Sequence, residues 1–169
     1  MVFNLPDGLN INNLLDDLKL LSWQASDILL NYSRNLNDKQ FKDKFIMNKK
    51  NNEPVTQADL EVNNLILKHF KKKYLNINWN ILSEETISII SNNKQNSNWQ
   101  WVLDPLDGTK DFIQGTGNFA MHLALNYKNK PFLGVVLIPE KDELWITNGS
   151  NVWCESRKGN PKKVNLSNK

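Results

Sequence analysis

The sequence predicts an α+β domain in which a pair of helices is layered against an antiparallel sheet. Apolar residues recur at every third or fourth position in the first part of the chain, and they alternate within short, turn-bounded runs in the second part. A helical region followed by hairpin-linked strands is typical of α+β folds. No internal repeat or linker-like stretch divides the 169 residues, so we expect one domain over 1–169.

Two helices are predicted in the first part of the chain. The first spans Asn12–Ser33, and its apolar positions fall on one face: Leu14, Leu15, Leu18, Leu21, Ala25, Ile28, Leu29 and Tyr32. The polar stretch Asn35–Asn52 is predicted to be a connecting loop, held down by Phe45 and its neighbours. A second helix is predicted to open at Pro54-Val55-Thr56 and to end near Lys73.

Strands are predicted beyond Asn76, where the spacing of apolar residues changes. Asn80–Ser83 and Gln100–Leu103 are predicted to be strands, and Asn92–Asn98 a polar loop between them. Three further strands, FAMHLALNY, PFLGVVLIP and ELWIT, follow from Asn118 and are joined by turns, which indicates an antiparallel meander. Two helices are too few to cover both faces of such a sheet.

The composition indicates a soluble, folded protein of the cytoplasm. Its 21 basic and 18 acidic residues leave a formal charge of +3, which is too weak to indicate a nucleic acid as partner. The single cysteine, Cys154, excludes an internal disulfide and a cysteine-based zinc cluster. The start MVFNLPDGLNINN lacks the features of a signal peptide, and no segment has the length of a membrane span. The oligomeric state stays open.

The segment WVLDPLDGTKDF, Trp101–Phe112, is the strongest chemical signal. Asp104 and Asp107 follow an apolar strand, Gly108 permits a tight left-handed turn, and Thr109 is expected to cap a following helix. Such an order puts carboxylates, which bind a hard cation, beside the free N–H groups of a helix start, which bind phosphate oxygens. The segment therefore indicates a metal-assisted phosphate site.

Acids in such a turn allow three other interpretations. A capped turn with incidental acids stays open. A calcium-binding EF-hand loop fails, because Leu103 and Pro105 stand where that loop needs oxygen ligands. A phosphatase of the haloacid-dehalogenase type fails too, because Pro105 occupies the position of the nucleophilic aspartate.

Two other acidic positions could join this segment. Glu84 and Glu85 directly follow the strand that ends at Ser83, and taken alone they would be a surface pair. Asp59 closes the sequence Thr56-Gln57-Ala58-Asp59, which is also the pattern of a helix capping box. Acids at separate strand and helix ends could converge on Mg²⁺, which takes a few carboxylates together with water and substrate phosphate.

The segments PVTQAD, LSEE and WVLDPLDGTKDF, in this order, resemble the motifs of the magnesium-dependent, lithium-sensitive phosphatases of the inositol monophosphatase superfamily. The form DPLDGTKDF, with PFLGVVLIP after it, is most similar to the CysQ-type 3'(2'),5'-bisphosphate nucleotidases. The likeness runs from about Leu14 to Val164. It implies a hydrolase of sulfur metabolism that converts adenosine 3',5'-bisphosphate to AMP, with inositol or sugar phosphates as alternative substrates.

The resemblance also implies which residues bind two or three Mg²⁺ ions. Glu84 would ligate the first ion and help to place a water molecule. Asp104 would bridge two ions, the backbone carbonyl of Leu106 would complete the first site, and Asp107 would bind the second ion. Two ions so placed clamp the attacking and leaving oxygens of an in-line displacement.

The resemblance assigns the remaining roles to a dyad and a helix start. Asp59 and Thr109 would orient and deprotonate the attacking water, and Lys49 falls where the family often has a basic residue. The phosphate of a small nucleotide substrate would lie against Glu84, Leu106, Asp107, Gly108 and Thr109.

The sequence departs from the family pattern in one respect. The family carries a further metal-ligating aspartate in a Trp-Asp motif, followed by a second α/β domain, yet none of the six tryptophans here precedes an aspartate. The chain thus resembles the N-terminal half of such a phosphatase, with one metal ligand missing. A non-catalytic remnant or partner module that keeps metal ligands is the alternative from another class of function.

Several other conspicuous side chains are predicted to be structural. His122 alternates with apolar residues on a strand, and Cys154 is expected to be half-buried rather than a reactive thiol. Trp99 and Trp101 share one strand face and are expected to pack under a helix.

Overall fold

The computed structural model describes residues 5–36, 45–48, 54–91, 97–148 and 151–164. The helices are α1 (Ile11–Asn35), α2 (Gln57–Lys73) and the short α3 (Thr109–Gln114), and a 3₁₀ turn covers Pro139–Lys141. The strands are β1 (Ile46–Asn48), β2 (Pro54–Thr56), β3 (Asn80–Ser83), β4 (Thr86–Ser91), β5 (Trp99–Asp107), β6 (Ala120–Tyr127), β7 (Lys130–Ile138), β8 (Glu143–Thr147), β9 (Val152–Glu155) and β10 (Lys162–Val164).

Eight of the described strands form one sheet, in the spatial order β10-β9-β8-β7-β6-β5-β3-β4. Neighbouring strands run antiparallel, as predicted, except for β3 and β5, which pair in parallel from Asn80 opposite Gln100 to Ser83 opposite Leu103. The α+β class is therefore confirmed, although the sheet is mixed. Strand β4 pairs with β3 at the edge of the sheet. The chain then crosses back to the other side of β3 and forms β5 in the same direction as β3.

Helices α1 and α2 pack against one face of this sheet. The amphipathic spacing of α1 buries Leu14, Leu18, Leu21, Ala25 and Leu29, as predicted. On α2, Phe70 packs against Trp79 and Trp101 of the sheet region, with ring centroids 5.7 Å and 5.0 Å away. Trp101 thus lies under a helix as expected, whereas the rings that contact Trp99 are Tyr127 and Phe132.

The opposite face of the sheet is only partly buried. Strict alternation along β7 and β8 places Val135 and Ile146 in the core, and Val136 and Trp145 on the face away from the helices. The prediction that two helices leave one face uncovered agrees with this arrangement. No helix in the described ranges is long and apolar enough to cross a membrane.

Local structure differs from prediction at several places. Strand β1 lies within the predicted loop Asn35–Asn52, β4 was not predicted, and β5 extends beyond the predicted Gln100–Leu103. Pro54–Thr56 forms β2, paired with β1, and helix α2 begins only at Gln57, because Thr56 adopts an extended conformation and caps the helix from outside. The polar segment after Cys154 contributes β10, which pairs with β9. Phe45 is buried and stacks on Tyr32 with ring centroids 4.7 Å apart, as expected for this aromatic residue. The rest of the predicted loop Asn35–Asn52 lies largely outside the described residues, as does most of the predicted loop Asn92–Asn98.

A buried carboxylate joins α1 to the end of α2. Asp17 accepts hydrogen bonds from the Lys73 ammonium at 2.6 Å and from the hydroxyl of Tyr74, and His69 Nε2 lies 3.5 Å away. Burial opposes ionisation, but these donors outweigh it and hold the pKa of Asp17 below its usual value. The ionised carboxylate is therefore stabilised by folding.

We predict that Asp17→Asn lowers the free energy of unfolding at neutral pH by about 1.5–3 kcal/mol, the usual contribution of hydrogen bonds to a charged group. Asp16→Asn, at the exposed neighbouring position, is the matched control. Since the folded pKa of Asp17 is lowered, its contribution is complete above the unfolded pKa, about 3.9, and is lost as the pH falls through the folded value. Urea denaturation at pH 7 and pH 3 should show a difference that shrinks in acid; equal losses in both variants would contradict this role.

Candidate active site

The parallel pairing of β3 and β5 brings three of the predicted acids together. Glu84 follows β3, and its N–H donates to the Leu103 carbonyl at 3.0 Å, which places it beside Asp104 on β5. Burial, the charge and hydrogen bond of Glu84, and the charge of Asp107 together raise the pKa of Asp104 to about 7, against a hydrogen bond from the Leu106 N–H at 3.1 Å. The structure thus gathers carboxylates that repel one another, which is the arrangement that a bound cation would relieve.

Asp59 belongs to both the predicted capping box and the predicted dyad. Its Oδ2 accepts the N–H of Thr56 at 2.8 Å and also the Thr56 hydroxyl, so the capping box is present. Its Oδ1 lies 3.4 Å from the hydroxyl of Thr109, which is also 3.0 Å from the Leu106 carbonyl. Each carboxylate oxygen therefore has its own partner, and the structural and functional interpretations of Asp59 are compatible.

Burial is also the largest influence on the protonation of Asp59. Asp59 is 2% exposed; burial first, and the charge of Glu85 to a smaller extent, raise its pKa to about 6. The hydrogen bonds from Thr56 act in the opposite direction. At neutral pH, Asp59 is therefore mostly ionised and is a stronger proton acceptor than an exposed aspartate.

The turn between β5 and α3 depends on Gly108. This residue has a φ of 83° and stands at the N-cap of α3, without a side-chain cap. The prediction that Thr109 caps the helix is wrong, because Gly108 makes the left-handed turn and Thr109 is already the first helical residue. The Thr109 hydroxyl is then free to approach Asp59 and Leu106 instead of capping.

Comparison with known proteins supports this assignment of motifs. Residues 13–169 match the model of the inositol monophosphatase family. The chain belongs to the inositol monophosphatase family. It is similar to two proteins named 3'(2'),5'-bisphosphate nucleotidase CysQ: that of Buchnera aphidicola is 35% identical over 125 residues (70% of this chain, 43% of the relative), and that of Haemophilus influenzae is 35% identical over 127 residues (75% and 44%).

The fold is shared with solved members of the family. The extragenic suppressor protein suhB from Bartonella henselae superposes with a TM-score of 0.66 at 24% identity, over 89% of this chain and 52% of that one. The chain spans less than half the length of the two curated relatives. The resemblance inferred from the motifs is therefore confirmed, and it concerns part of the length of these proteins.

Within this inositol monophosphatase domain, the site has features that the sequence did not reveal. His122 pairs with Asp104 across β5 and β6, and its Nδ1 lies 4.0 Å from Asp107 Oδ2. Alternation placed His122 on a strand, but only the strand register brings it beside the acids. Lys49 lies outside the described residues.

The described acids do not form a ready-made metal cage. Among the described residues, no group of three or more His, Cys, Asp or Glu side chains is arranged so that it could hold a metal ion by itself. The oxygen donors present are of the type that Mg²⁺ takes, which is usually one or two carboxylates together with water and substrate phosphate. The Leu106 carbonyl already accepts the Thr109 hydroxyl, and its second lone pair remains available to a cation.

We predict that Gly108→Ala lowers the midpoint of thermal unfolding more than Gly115→Ala does. Both glycines have positive φ, 83° and 72°, so both substitutions share the cost of a left-handed residue, about 1 kcal/mol. At Gly108 the new Cβ would lie 2.7 Å from the Asn118 carbonyl oxygen, whereas nothing lies within 4 Å at Gly115. Differential scanning calorimetry measures the difference, and equal shifts would show that the close approach at Gly108 is not needed.

Proposed function

We propose that this chain carries the metal- and phosphate-binding half of a magnesium-dependent phosphatase that converts adenosine 3',5'-bisphosphate to AMP. The observation that supports this proposal most directly is that Glu84 and Asp107 lie close enough to Asp104 on β5 to raise its pKa. This group of acids lies next to the start of α3. The substrate is inferred from the names of the similar bisphosphate nucleotidases. Since the chain spans less than half of those relatives, the activity proposed is that of the whole protein.

The acids at the ends of β3 and β5 fit Mg²⁺. Glu84, Asp104, Asp107 and the carbonyl of Leu106 would hold it, because they are the oxygen donors that this hard cation prefers. When bound, the ions would neutralise phosphate charge and make a water molecule a better nucleophile. Their positive charge would also offset the repulsion that raises the pKa of Asp104. Lithium sensitivity is expected on the same ground as magnesium dependence, namely family membership.

The start of α3 fits the transferred phosphate. The first N–H groups of a helix have no partner within the helix, and those of Gly108 and Thr109 would donate to the phosphate oxygens of the substrate. The left-handed backbone of Gly108 orients this turn. The short α3 would act here through its backbone N–H groups.

The pair Asp59 and Thr109 would move the proton of the attacking water. The Thr109 hydroxyl has one proton, which in the reactive arrangement would be donated to Asp59, 3.4 Å away, in place of the Leu106 carbonyl, 3.0 Å away; the Thr109 oxygen could then accept a proton from water. In the reaction, water oxygen attacks phosphorus, the bond from phosphorus to the 3'-oxygen breaks, and the 3'-oxygen takes up a proton from solvent. The water proton passes to Thr109 as the Thr109 proton passes to Asp59, whose raised pKa of about 6 suits it to accept.

Phosphate release tests the proposed function. With magnesium and adenosine 3',5'-bisphosphate, we expect Asp107→Asn to reduce the rate by about 100-fold or more, since even indirect metal contacts are worth 10–100-fold. Asp111→Asn, at a half-buried position in the first turn of α3 whose Oδ1 accepts the Thr116 hydroxyl at 2.8 Å, is the control; an asparagine oxygen can still accept that bond, and the variant should keep the rate. Equal rates for both variants would refute the role of Asp107.

The same assay separates the alternatives. Faster release from inositol or sugar phosphates would replace the nucleotide as substrate. Absence of both phosphate release and magnesium-dependent thermal stabilisation would favour a non-catalytic module.

We predict that Thr109→Val lowers kcat by about 10²–10⁴-fold, the usual range for a lost proton-transfer group, and changes KM for magnesium little. Thr109→Ser keeps the hydroxyl that lies 3.4 Å from Asp59 and should retain most of the rate. Steady-state kinetics over a magnesium series measures both constants. If Val and Ser variants were equally active, Thr109 would have no part in the proton transfer.

A further inference from the structure

A buried hydrogen bond lies directly behind the candidate site. The Ser83 hydroxyl, at the end of β3, donates to Asn63 Oδ1 on α2 at 2.7 Å. Ser83 is 3% exposed and Asn63 6%. An unpaired polar group at such a buried position would be costly. The bond therefore satisfies the Ser83 donor and an oxygen of Asn63 at the same time.

This bond joins the two elements that carry the acids. Asp59 lies one helical turn before Asn63 on α2, so both face the same side of the helix. Glu84 and Glu85 follow Ser83 directly, and the Glu85 N–H donates to the Ser83 hydroxyl at 3.4 Å. A displacement of Ser83 would therefore move the acids at the end of β3 relative to Asp59.

Two anchors act on Glu84 from opposite sides. The first anchor is the hydrogen bond from the Glu84 N–H to the Leu103 carbonyl of β5, at 3.0 Å. The second is the Ser83 hydroxyl, which donates to Asn63 on α2 and accepts the N–H of Glu85. The first anchor sets Glu84 against Asp104, and the second sets it against α2.

We infer that Ser83 and Asn63 form a positioning pair that sets Glu84 and Glu85 relative to Asp59 and so prepares the magnesium site. This inference rests on the proposed function. An apolar pair of similar volume would hold α2 to the sheet equally well, because replacing both partners of a buried hydrogen bond is nearly neutral for stability. What such a pair would lack is the directional bond that fixes the end of β3.

The test compares Ser83→Ala, Ser83→Thr and the double variant Asn63→Leu with Ser83→Ala. Two readouts follow magnesium: its half-saturating concentration for phosphate release, and the rise in thermal midpoint that it causes. We expect Ser83→Ala to raise the half-saturating concentration about tenfold, as for other groups that orient metal ligands. Ser83→Thr keeps the hydroxyl and should restore the wild-type value.

The double variant separates positioning from mere stability. It should regain the unfolding midpoint that Ser83→Ala loses, yet keep the raised magnesium requirement. Ser22→Ala is the matched control, because Ser22 is also buried and donates to the Leu18 carbonyl at 2.6 Å, on α1; it should leave the magnesium requirement unchanged. A double variant with the wild-type requirement would overturn the inference.

The two readouts distinguish failure of the proposed function from failure of the positioning pair. Magnesium stabilisation without phosphate release in the whole protein would overturn the proposed function, while the stabilisation assay on this chain would still judge the positioning pair. Absence of both responses in the wild-type chain would overturn both proposals.

Discussion

The parallel pairing of β3 with β5 is the constraint on which the candidate site depends. In an otherwise antiparallel sheet, neighbouring strands end at opposite edges, so residues that follow two adjacent strands lie far apart. The single parallel pair places the ends of β3 and β5 at the same edge, and Glu84 therefore meets Asp104. The hairpin of β3 and β4 at the sheet margin makes this possible, since it lets the chain cross back and form β5 in the same direction as β3.

The gathered acids oppose the stability of the fold that gathers them. Asp59 and Asp104 are both harder to ionise in the folded chain than in water, chiefly because they are buried. The carboxylates of Glu84 and Asp104, at one edge of the sheet, repel each other and would separate if the backbone allowed it. Backbone hydrogen bonds and the left-handed turn at Gly108 must therefore hold them in place. Such a cost is common where a site is built to receive a cation or a substrate.

Asp104 and His122 lie on the side of the sheet that the helices leave uncovered, whereas Asp59 lies on α2. Asp104, His122, Val136 and Trp145 are successive partners across β5 to β8, and cross-strand partners point to the same face. This face carries partly buried apolar side chains next to charged ones. The proposed metal site therefore borders a partly buried surface that differs from the helix-covered core in carrying charged side chains. The chain spans less than half the length of its curated relatives.

The sequence by itself determined the two long helices, the strands of the meander and the family, and it singled out the acids of the candidate site. Periodicity along α1 and alternation along β6 to β8 reflect local burial, which each segment shows independently. The motifs around Asp104 and Asp59 were specific enough to indicate the family. Tertiary structure alone decided the parallel register of β3 and β5, the position of His122 and the bond between Ser83 and Asn63, because these depend on contacts between segments distant in the chain. Thr109 is an example of the same limit within one turn. Because Gly108 adopts a left-handed conformation and occupies the N-cap, the Thr109 hydroxyl faces Asp59 and does not cap the helix.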